Sequence, residues 1–468
     1  MSGLISWLII QGGMGFNISD WFLARTLSLL GQLGTVSGTA LEIVMAEALQ
    51  RGDVGGHFRR ALAHFPFPQF SKMVLDEYYV EGGIKDGARL KRVEHFSVEP
   101  SVLLTALNIC ANFASVWLAK EGHKNPVSIN YLEKISMPLL SSIFGAMLAE
   151  VDFITVGAGI LPNQIPEVIS RFSRGEEAEY IVPVVGINLK KWTMRFNPRS
   201  FFGSDLDKVL LLKKPGFIPI ISSNLLAGIL TKRLPKDSIF GFVVEESTAG
   251  GHNAPPRRSG VYGGEDQVDY VKLAGLGLPF WIGGSYASPE KLAWARSVGA
   301  VGIQAGGIFA LSEDSGMNPT IRQTARRLGW LGKLKVRTDS RISTSGFPFK
   351  VALIDGTISE ERVYNDRQRV CRYGVLVTLY EKPDGTIGYR CPGEPVETYV
   401  VRKGGKIEDT VGRGCLCCGL CRTGNRGPDT EPAIVTVDDD VSFLLKLMPT
   451  PDSSYKASDA VDYILGKA

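Results

Sequence analysis

Eight short apolar runs constrain the fold of this chain more than any other feature of its sequence. Most of them end in a glycine-bearing exit and are followed by a helical pattern, as at 288–299, where Ser288 can cap a helix that Pro289 begins. The runs are nearly continuous rather than alternating, which is typical of parallel strands covered on both faces. The predicted strands are residues 4–11, 31–38, 125–132, 151–159, 216–223, 239–246, 278–284 and 300–307.

Eight strand–helix units predict an α/β protein with a (β/α)8 TIM barrel, whose active site lies at the carboxyl ends of the strands. A minimal barrel needs about 250 residues, whereas this chain has 468 residues. We therefore expect a barrel domain at 1–330 with a helical insertion at about 43–124 and a smaller insertion at about 176–214, which contains an extra strand at 180–192. Residues 331–468 are expected to form an extension of short strands, with a cysteine-rich loop, on the barrel or over its mouth.

Composition and charge exclude several classes of protein. A hydrophobic content of 44% and a charged content of 21% are typical of globular domains. The net charge is +4 and no basic tract stands out, which disfavours a nucleic-acid partner. The apolar amino-terminal segment is too short to span a bilayer and lacks the charged leader of a signal peptide. We expect a cytoplasmic protein without a membrane partner; a homodimer is compatible with the sequence.

Paired glycines end the last two predicted strands, at Gly283 and Gly284 and at Gly306 and Gly307. In barrels of this kind the loops after the seventh and eighth strands commonly form a phosphate site. Backbone N–H groups without neighbouring side chains can approach phosphate oxygens closely. The sequence therefore predicts a phosphate site here, the alternative being glycines that serve only packing and turns.

The exits of the first and third strands offer contacts for a planar ligand. Gly13 leaves backbone groups available beside Met14, which supplies a soft apolar surface unless it is a core residue. Asn130 follows an apolar run, so its amide either bonds the edge of such a ligand or stabilises a turn.

His252 is the candidate catalytic residue. It follows Gly250 and Gly251 directly after the sixth predicted strand, so a ligand can approach it closely. A histidine with a near-neutral pKa can deliver or remove a proton. A lone histidine more often makes a structural hydrogen bond. The position of His252 at the end of a barrel strand, where active sites lie, instead favours a catalytic role. The other four histidines lie in or near the long insertion, which disfavours a metal triad.

Four of the seven cysteines, Cys415, Cys417, Cys418 and Cys421, fall within one short segment. A disulfide framework is not expected in the absence of a secretion signal. These thiols are the candidate ligands for zinc or an iron–sulfur cluster, and Cys391 is a further candidate ligand. The C-x-C-C-x-x-C spacing is unusual for either kind of site. We predict no metal site, and expect structural cysteines or, less readily, redox-active thiols.

Taken in order, the segments IIQGGMG, VSIN, TVGAG, EESTAGGH, PFWIGG and GIQAGGIFA resemble the FMN-dependent nitronate monooxygenase (2-nitropropane dioxygenase) family. That family includes flavin enoyl reductases of fatty-acid and polyketide synthesis. The resemblance covers residues 5–315 apart from the insertions. Segments of the extension, such as GRGCLCCGL, resemble longer bacterial members of the family.

The resemblance implies an FMN cofactor in the barrel mouth and a catalytic role for His252. It places the phosphate on the two glycine pairs of the last strands and the flavin ring against the exits of the first and third. The residues of this sequence that would contact FMN are Gly13, Met14, Asn130, Gly250, Gly251, Gly283, Gly284, Gln304, Gly306 and Gly307.

Two departures from the family pattern bear on the expected reaction. Thr248 stands where members carry an acidic residue four positions before the histidine, and Gly307 stands where a threonine is common. The expected function is oxidation of a small nitronate-like anion with O2. The alternatives are an NAD(P)H-dependent enoyl thioester reductase, a non-redox binding or assembly protein held by metal, and a flavin-free, phosphate-binding barrel lyase or isomerase.

Overall fold

A computed structural model of the chain describes residues 5–85, 87–157, 164–186, 191–209, 211–258, 260–427 and 431–467. Within these residues the strands are β1 (Ile9–Gln11), β2 (Gly34–Ser37), β3 (Val127–Leu132), β4 (Phe153–Gly157), β5 (Ala178–Val185), β6 (Lys191–Phe196), β7 (Gly216–Ile221), β8 (Phe242–Glu245), β9 (Phe280–Gly283), β10 (Gly302–Ala305), β11 (Lys335–Asp339), β12 (Phe349–Leu353), β13 (Thr378–Glu381) and β14 (Ile387–Arg390).

The helices of the described residues surround and cover these strands. They are α1 (Trp21–Leu29), α2 (Leu41–Gln50), α3 (His57–Leu62), α4 (Pro68–Tyr78), α5 (Val102–Lys120), α6 (Leu139–Leu148), α7 (Ile165–Phe172), α8 (Pro198–Phe202), α9 (Asn224–Arg233), α10 (Tyr270–Ala274), α11 (Pro289–Ser297), α12 (Gly307–Ala310), α13 (Pro319–Trp330), α14 (Glu361–Asp366), α15 (Leu416–Thr423), α16 (Leu444–Leu447) and α17 (Ala457–Ile464). Short 3-10 turns occur at Gly203–Lys208, Gly264–Asp266 and Ile407–Thr410, and a π turn at Thr398–Arg402.

Eight parallel strands form one sheet in the order β1-β10-β9-β8-β7-β4-β3-β2. The sheet closes where Gln11 donates its N–H to the carbonyl of Leu33 and Leu33 donates to the carbonyl of Ile9, both at 3.0 Å. Each predicted strand contains one strand of this barrel, so the TIM barrel expected from the sequence is confirmed. Leu4 and residues 158–159, at the ends of two predicted strands, lie outside the described residues.

Aromatic side chains fill the amino-terminal end of the barrel. The indoles of Trp7 and Trp281 stack with ring centroids 4.5 Å apart and planes 14° apart. Phe153, at the start of β4, meets Trp7 edge to face at 5.7 Å. These residues pack in one buried cluster with Ile10 and Val243. Because this end is filled by side chains, the space left for a ligand lies at the carboxyl end, which we call the mouth.

The long segment between β2 and β3 is helical and contains α2, α3, α4 and α5. Helix α5 is capped by the side chain of Ser101, which accepts the N–H of Leu104. It is the one helix of the described residues long and apolar enough to cross a membrane by length and composition. In this structure 83% of its apolar window is buried inside the protein, where Asn112 accepts a hydrogen bond from Tyr131 of β3 at 2.9 Å.

The smaller insertion and the extension share a second sheet, in the order β14-β13-β5-β6. The sequence predicts a single extra strand at 180–192, but the described part of that segment contributes to two antiparallel strands, β5 and β6. Residues 187–190 of the expected strand lie outside the described residues. Residues of β5 alternate between buried and exposed along its whole length, as expected for a strand with one covered face. Strand β13 pairs in parallel with β5 and so ties the extension to the insertion.

The extension also pairs directly with the mouth of the barrel. Lys350 of β12 donates its N–H to the carbonyl of Gly251 at 2.9 Å, and Asn253 donates to the carbonyl of Pro348 at 3.0 Å. These two bonds flank an antiparallel bridge between His252 and Phe349. The loop that follows β8 is therefore held by residues from the distant extension.

Replacing Trp281 with alanine tests the aromatic filling of the barrel. Its side chain is fully buried, so Trp281→Ala should lower the free energy of unfolding by about 3–5 kcal/mol, through lost burial and a cavity. Trp294→Ala is the matched control, because Trp294 is 44% exposed and its loss should cost much less. Denaturant unfolding compares the two; equal losses would contradict this account of the barrel core.

Candidate functional site

A cavity lies at the mouth, and the space between its atoms amounts to about 1300 Å³ when the part open to solvent is included. Its walls are the exits of β1, β2, β3, β8, β9 and β10, and its cover comes from the extension. The cover is apolar, and we call it the apolar roof: Phe349, Val375, Leu376, Leu416, Leu420 and Val437. A concave, mostly apolar site with a few polar groups is typical of a small-molecule pocket.

Most of the residues predicted to contact a cofactor come together in this wall. Those that line the cavity are Met14, Gly250, Gly251, His252, Gly283, Gly284, Gln304, Gly306 and Gly307. They arrive from four strand exits that are separated along the chain. The structure therefore places the predicted glycine exits and the predicted histidine around one space.

Two predicted residues lie behind the wall rather than on it, among the residues described. A Cβ on Gly13 would lie 2.5 Å from Cγ2 of Thr35, so this glycine permits close packing of the β1 exit on β2. Asn130 is buried and its Oδ1 accepts the hydroxyl of Thr155 at 2.8 Å. Its Nδ2 has no hydrogen-bond partner among the described residues.

The cavity glycines serve two different purposes. A Cβ on Gly306 would meet nothing within 4 Å, and the same is true of Gly251. At Gly284, φ is +110° and a Cβ would lie 2.9 Å from Oγ1 of Thr248, so the backbone itself requires glycine. Gly306 is thus the position where a bare backbone leaves room for a ligand without any conformational demand.

His252 is held in the cavity wall by groups from the extension. Its side chain is 7% exposed and its Nε2 lies 2.9 Å from Oγ of Ser343. Phe349 packs edge to face on the imidazole, with ring centroids 4.9 Å apart. The other ring nitrogen, Nδ1, has no hydrogen-bond partner in the part of the chain that the structure describes.

Burial sets the charge state of His252. Desolvation lowers the pKa of this imidazole well below its ordinary value, and the nearby Lys134 cation lowers the pKa further. The imidazole is therefore neutral at pH 7, so it can accept a proton or donate a hydrogen bond through its N–H.

Sequence reasoning missed Lys134 and undervalued Glu245. Burial lowers the pKa of Lys134 to about 7, against the opposing effect of Glu245 and Glu133. Its Nζ lies 3.7 Å from the ring centroid of Phe347. Burial raises the pKa of Glu245, which lines the cavity, to about 8. Displaced pKa values at the wall of a cleft are a mark of functional sites, and the only sequence signal was a charged residue at or just after a strand end.

A carboxylate from the extension occupies the rim of the mouth. Oδ1 of Asp438 accepts the N–H of Gly250 at 2.8 Å, and Oδ2 accepts the N–H of Gly307 at 3.2 Å. Beside it, Oγ1 of Thr436 accepts the N–H of Gly251 at 2.7 Å. Sequence analysis did not single out either residue, although the run of three aspartates at 438–440 is visible in the sequence.

The cysteine segment lies at the edge of the same cavity. Cys415 precedes α15, while Cys417 and Cys421 line the cavity. Hydrogen bonds from the thiols of Cys417 and Cys418 lower the pKa of Cys415 well below its usual value. Within the described ranges no group of three or more His, Cys, Asp or Glu side chains is arranged to hold a metal ion.

No protein-family model matches this chain, and no curated protein matches it. Solved structures similar to it include FabK from Thermotoga maritima, at 14% identity and a TM-score of 0.45, over 99% of this chain and 93% of that chain. The enoyl reductase domain of MlnA from Bacillus amyloliquefaciens is similar at 10% identity and a TM-score of 0.49. The match covers 99% of this chain and 94% of that chain. A nitroalkane oxidase from Streptomyces ansochromogenes is similar at 11% identity and a TM-score of 0.38, over 75% and 78%. At these values the likenesses assign no activity to the chain.

A valine at Gly306 tests whether the bare backbone makes room for FMN. Because nothing lies within 4 Å of the added Cβ, Gly306→Val should fold normally but fill ligand space, weakening FMN binding about tenfold or more. Gly228→Val, on the outer helix α9 with equally open surroundings, is the matched control. Flavin fluorescence titration measures both affinities; unchanged FMN affinity in Gly306→Val would remove this position from the site.

Proposed function

We propose that the protein is a flavin-dependent oxidoreductase whose flavin lies in the mouth of the barrel. The observation that carries this proposal is the cavity wall of side-chain-free backbone, open at Gly251 and Gly306, with a buried neutral histidine beside it. A flavin bound there would supply the electron-transfer chemistry, while the protein binds, orients and polarises.

The donor groups of the mouth fit such a cofactor. Met14 and the bare exits offer a flat apolar surface for a ring system, and Gln304 adds an amide at the wall. Backbone N–H groups at the strand ends have the chemistry that a phosphate needs, and those of Gly250 and Gly307 already bind a carboxylate. These features support FMN as the cofactor, with the phosphate near Gly250, Gly284 and Gly307.

Two substrate classes compete for this site, and the lining favours one of them. The described lining contains no lysine or arginine, but it contains the carboxyl groups of Glu245 and Asp438. The nearby Lys134 does not line the cavity, and burial lowers its pKa to about 7, so a small nitronate anion would gain only a partly charged cation behind the wall. The apolar roof instead suits the hydrocarbon chain of an acyl thioester. We therefore favour the NAD(P)H-dependent enoyl thioester reductase over nitronate oxidation with O2.

Reduction of an enoyl thioester adds a hydride equivalent at the β-carbon and a proton at the α-carbon. His252 can hold the thioester carbonyl through its neutral N–H, since Nδ1 is not engaged by described residues. Glu245 is the wall residue able to give up the proton, because burial keeps this carboxyl group protonated near neutral pH. The apolar roof limits the access of water to the same space.

Anaerobic mixing distinguishes these reactions. The purified protein should be yellow and release FMN on acid precipitation. NADPH should bleach the flavin, and a crotonyl thioester should then restore its absorbance. If a nitronate bleaches the flavin and NADPH does not, nitronate oxidation is correct. Colourless protein that binds no FMN and carries stoichiometric zinc would instead support the metal-held assembly class.

Removing the imidazole tests the role of His252. His252→Ala should retain FMN but lower turnover about 10²–10⁴-fold, the range for a positioned acid–base group. His64→Ala is the matched control, because His64 stacks on Trp117 outside the cavity. Steady-state kinetics and flavin content are measured on both proteins. Wild-type turnover in His252→Ala would mean that the histidine is structural.

A further inference from the structure

Asp438 bridges two separate exits of the barrel through backbone amides alone. One carboxylate oxygen accepts from Gly250, after β8, and the other from Gly307, at the start of α12. The side chain is 9% exposed. A Cβ placed on Gly307 would lie 2.7 Å from Oδ2 of Asp438, so the carboxylate fills the space in front of this glycine.

The segment around Asp438, residues 436–440, is fastened on both sides. The N–H of Asp439 reaches the carbonyl of Thr248 at 3.1 Å, and its carboxylate pairs with Nζ of Lys350. Asp440 pairs with Nζ of Lys291 at 2.8 Å. Asp439 and Asp440 therefore have cationic partners, whereas among the described residues Asp438 has only the amides. We call residues 436–440 the acidic segment.

We propose that the acidic segment is an internal occupant of the phosphate cradle, so that Asp438 and the FMN phosphate compete for the amides of Gly250 and Gly307. The proposal deepens the proposed function, on which it rests for the identity of the incoming ligand. Two anions cannot share the same donors, because each would lose hydrogen bonds and repel the other. FMN loading therefore moves the acidic segment out of the cradle.

The position of the segment links cofactor loading to the substrate space. Val437 lies between Thr436 and Asp438, the two residues that accept hydrogen bonds from the strand exits, and it is part of the apolar roof. Displacing Asp438 therefore also shifts one wall of the cavity above the flavin. Burial raises the pKa of Asp438, and the hydrogen bonds from Gly250 and Gly307 oppose this rise without cancelling it, so the two amides do not fully replace the water that the anion has lost. This favours exchange for a phosphate.

The competition is tested with FMN and with riboflavin, which has the same ring but no phosphate. The wild type should bind both with similar Kd values. Asp438→Ala should bind FMN about tenfold more tightly than the wild type and riboflavin equally well, because the freed amides gain a charged acceptor. Asp440→Ala, in the same segment but outside the cradle, should keep the wild-type ratio. A strong FMN preference in the wild type that Asp438→Ala leaves unchanged would overturn the proposal.

A measurement on the wild type avoids dependence on the fold of a variant. Hydrogen exchange should become faster in residues 436–440 when FMN saturates the protein, but not when riboflavin does. Unchanged exchange in this segment with FMN bound would contradict displacement. Asp438→Asn, which keeps the side-chain shape, serves as the second variant if Asp438→Ala does not fold.

Inorganic phosphate separates failure of this proposal from failure of the flavin assignment. At matched ionic strength, phosphate should raise the melting temperature of Asp438→Ala and leave the wild type unchanged. If this occurs while neither flavin binds, the cradle is real and the proposed function is wrong. If flavins bind but phosphate stabilises neither protein and the FMN-to-riboflavin ratio is unchanged, the cradle proposal is wrong and the flavin assignment stands.

Discussion

Backbone N–H groups at the carboxyl ends of the barrel strands, which need acceptors from outside the barrel sheet, are the constraint on which this mouth depends. A buried donor must find an acceptor, and here the donors of Gly250 and Gly307 find Asp438, 188 and 131 residues away along the chain. The extension is thus tied to the barrel by the same groups that a phosphate would use. The cavity and the extension that covers it are therefore held together by the same hydrogen bonds.

The cover in turn sets the chemistry of the wall. Ser343 and Phe349 come from the extension, yet they fix the imidazole of His252 and exclude water from it. The resulting desolvation keeps this histidine neutral and brings the pKa values of Lys134 and Glu245 towards neutrality. A barrel without its extension would present the same residues to solvent, with pKa values close to their ordinary ones.

The described lining of the cavity is mainly apolar, and its charged side chains are acidic. It combines bare glycine backbone, an apolar cover and carboxyl groups, without a lysine or arginine among its described residues. Such a wall suits an extended apolar substrate better than a small anion. The aromatic stack of Trp7 and Trp281 fills the opposite end of the barrel, so the cavity formed by the described residues lies at the mouth.

The sequence by itself determined the eight strands and their glycine exits, because apolar runs and glycine turns are local signals that neighbouring residues specify. It therefore also determined that His252, Gly284 and Gly306 would meet, since parallel strands end on one side. Only the tertiary structure decided that Gly13 packs on Thr35 and that Asp438 enters the mouth. Those outcomes depend on contacts between residues far apart in the chain, for which local patterns carry no information.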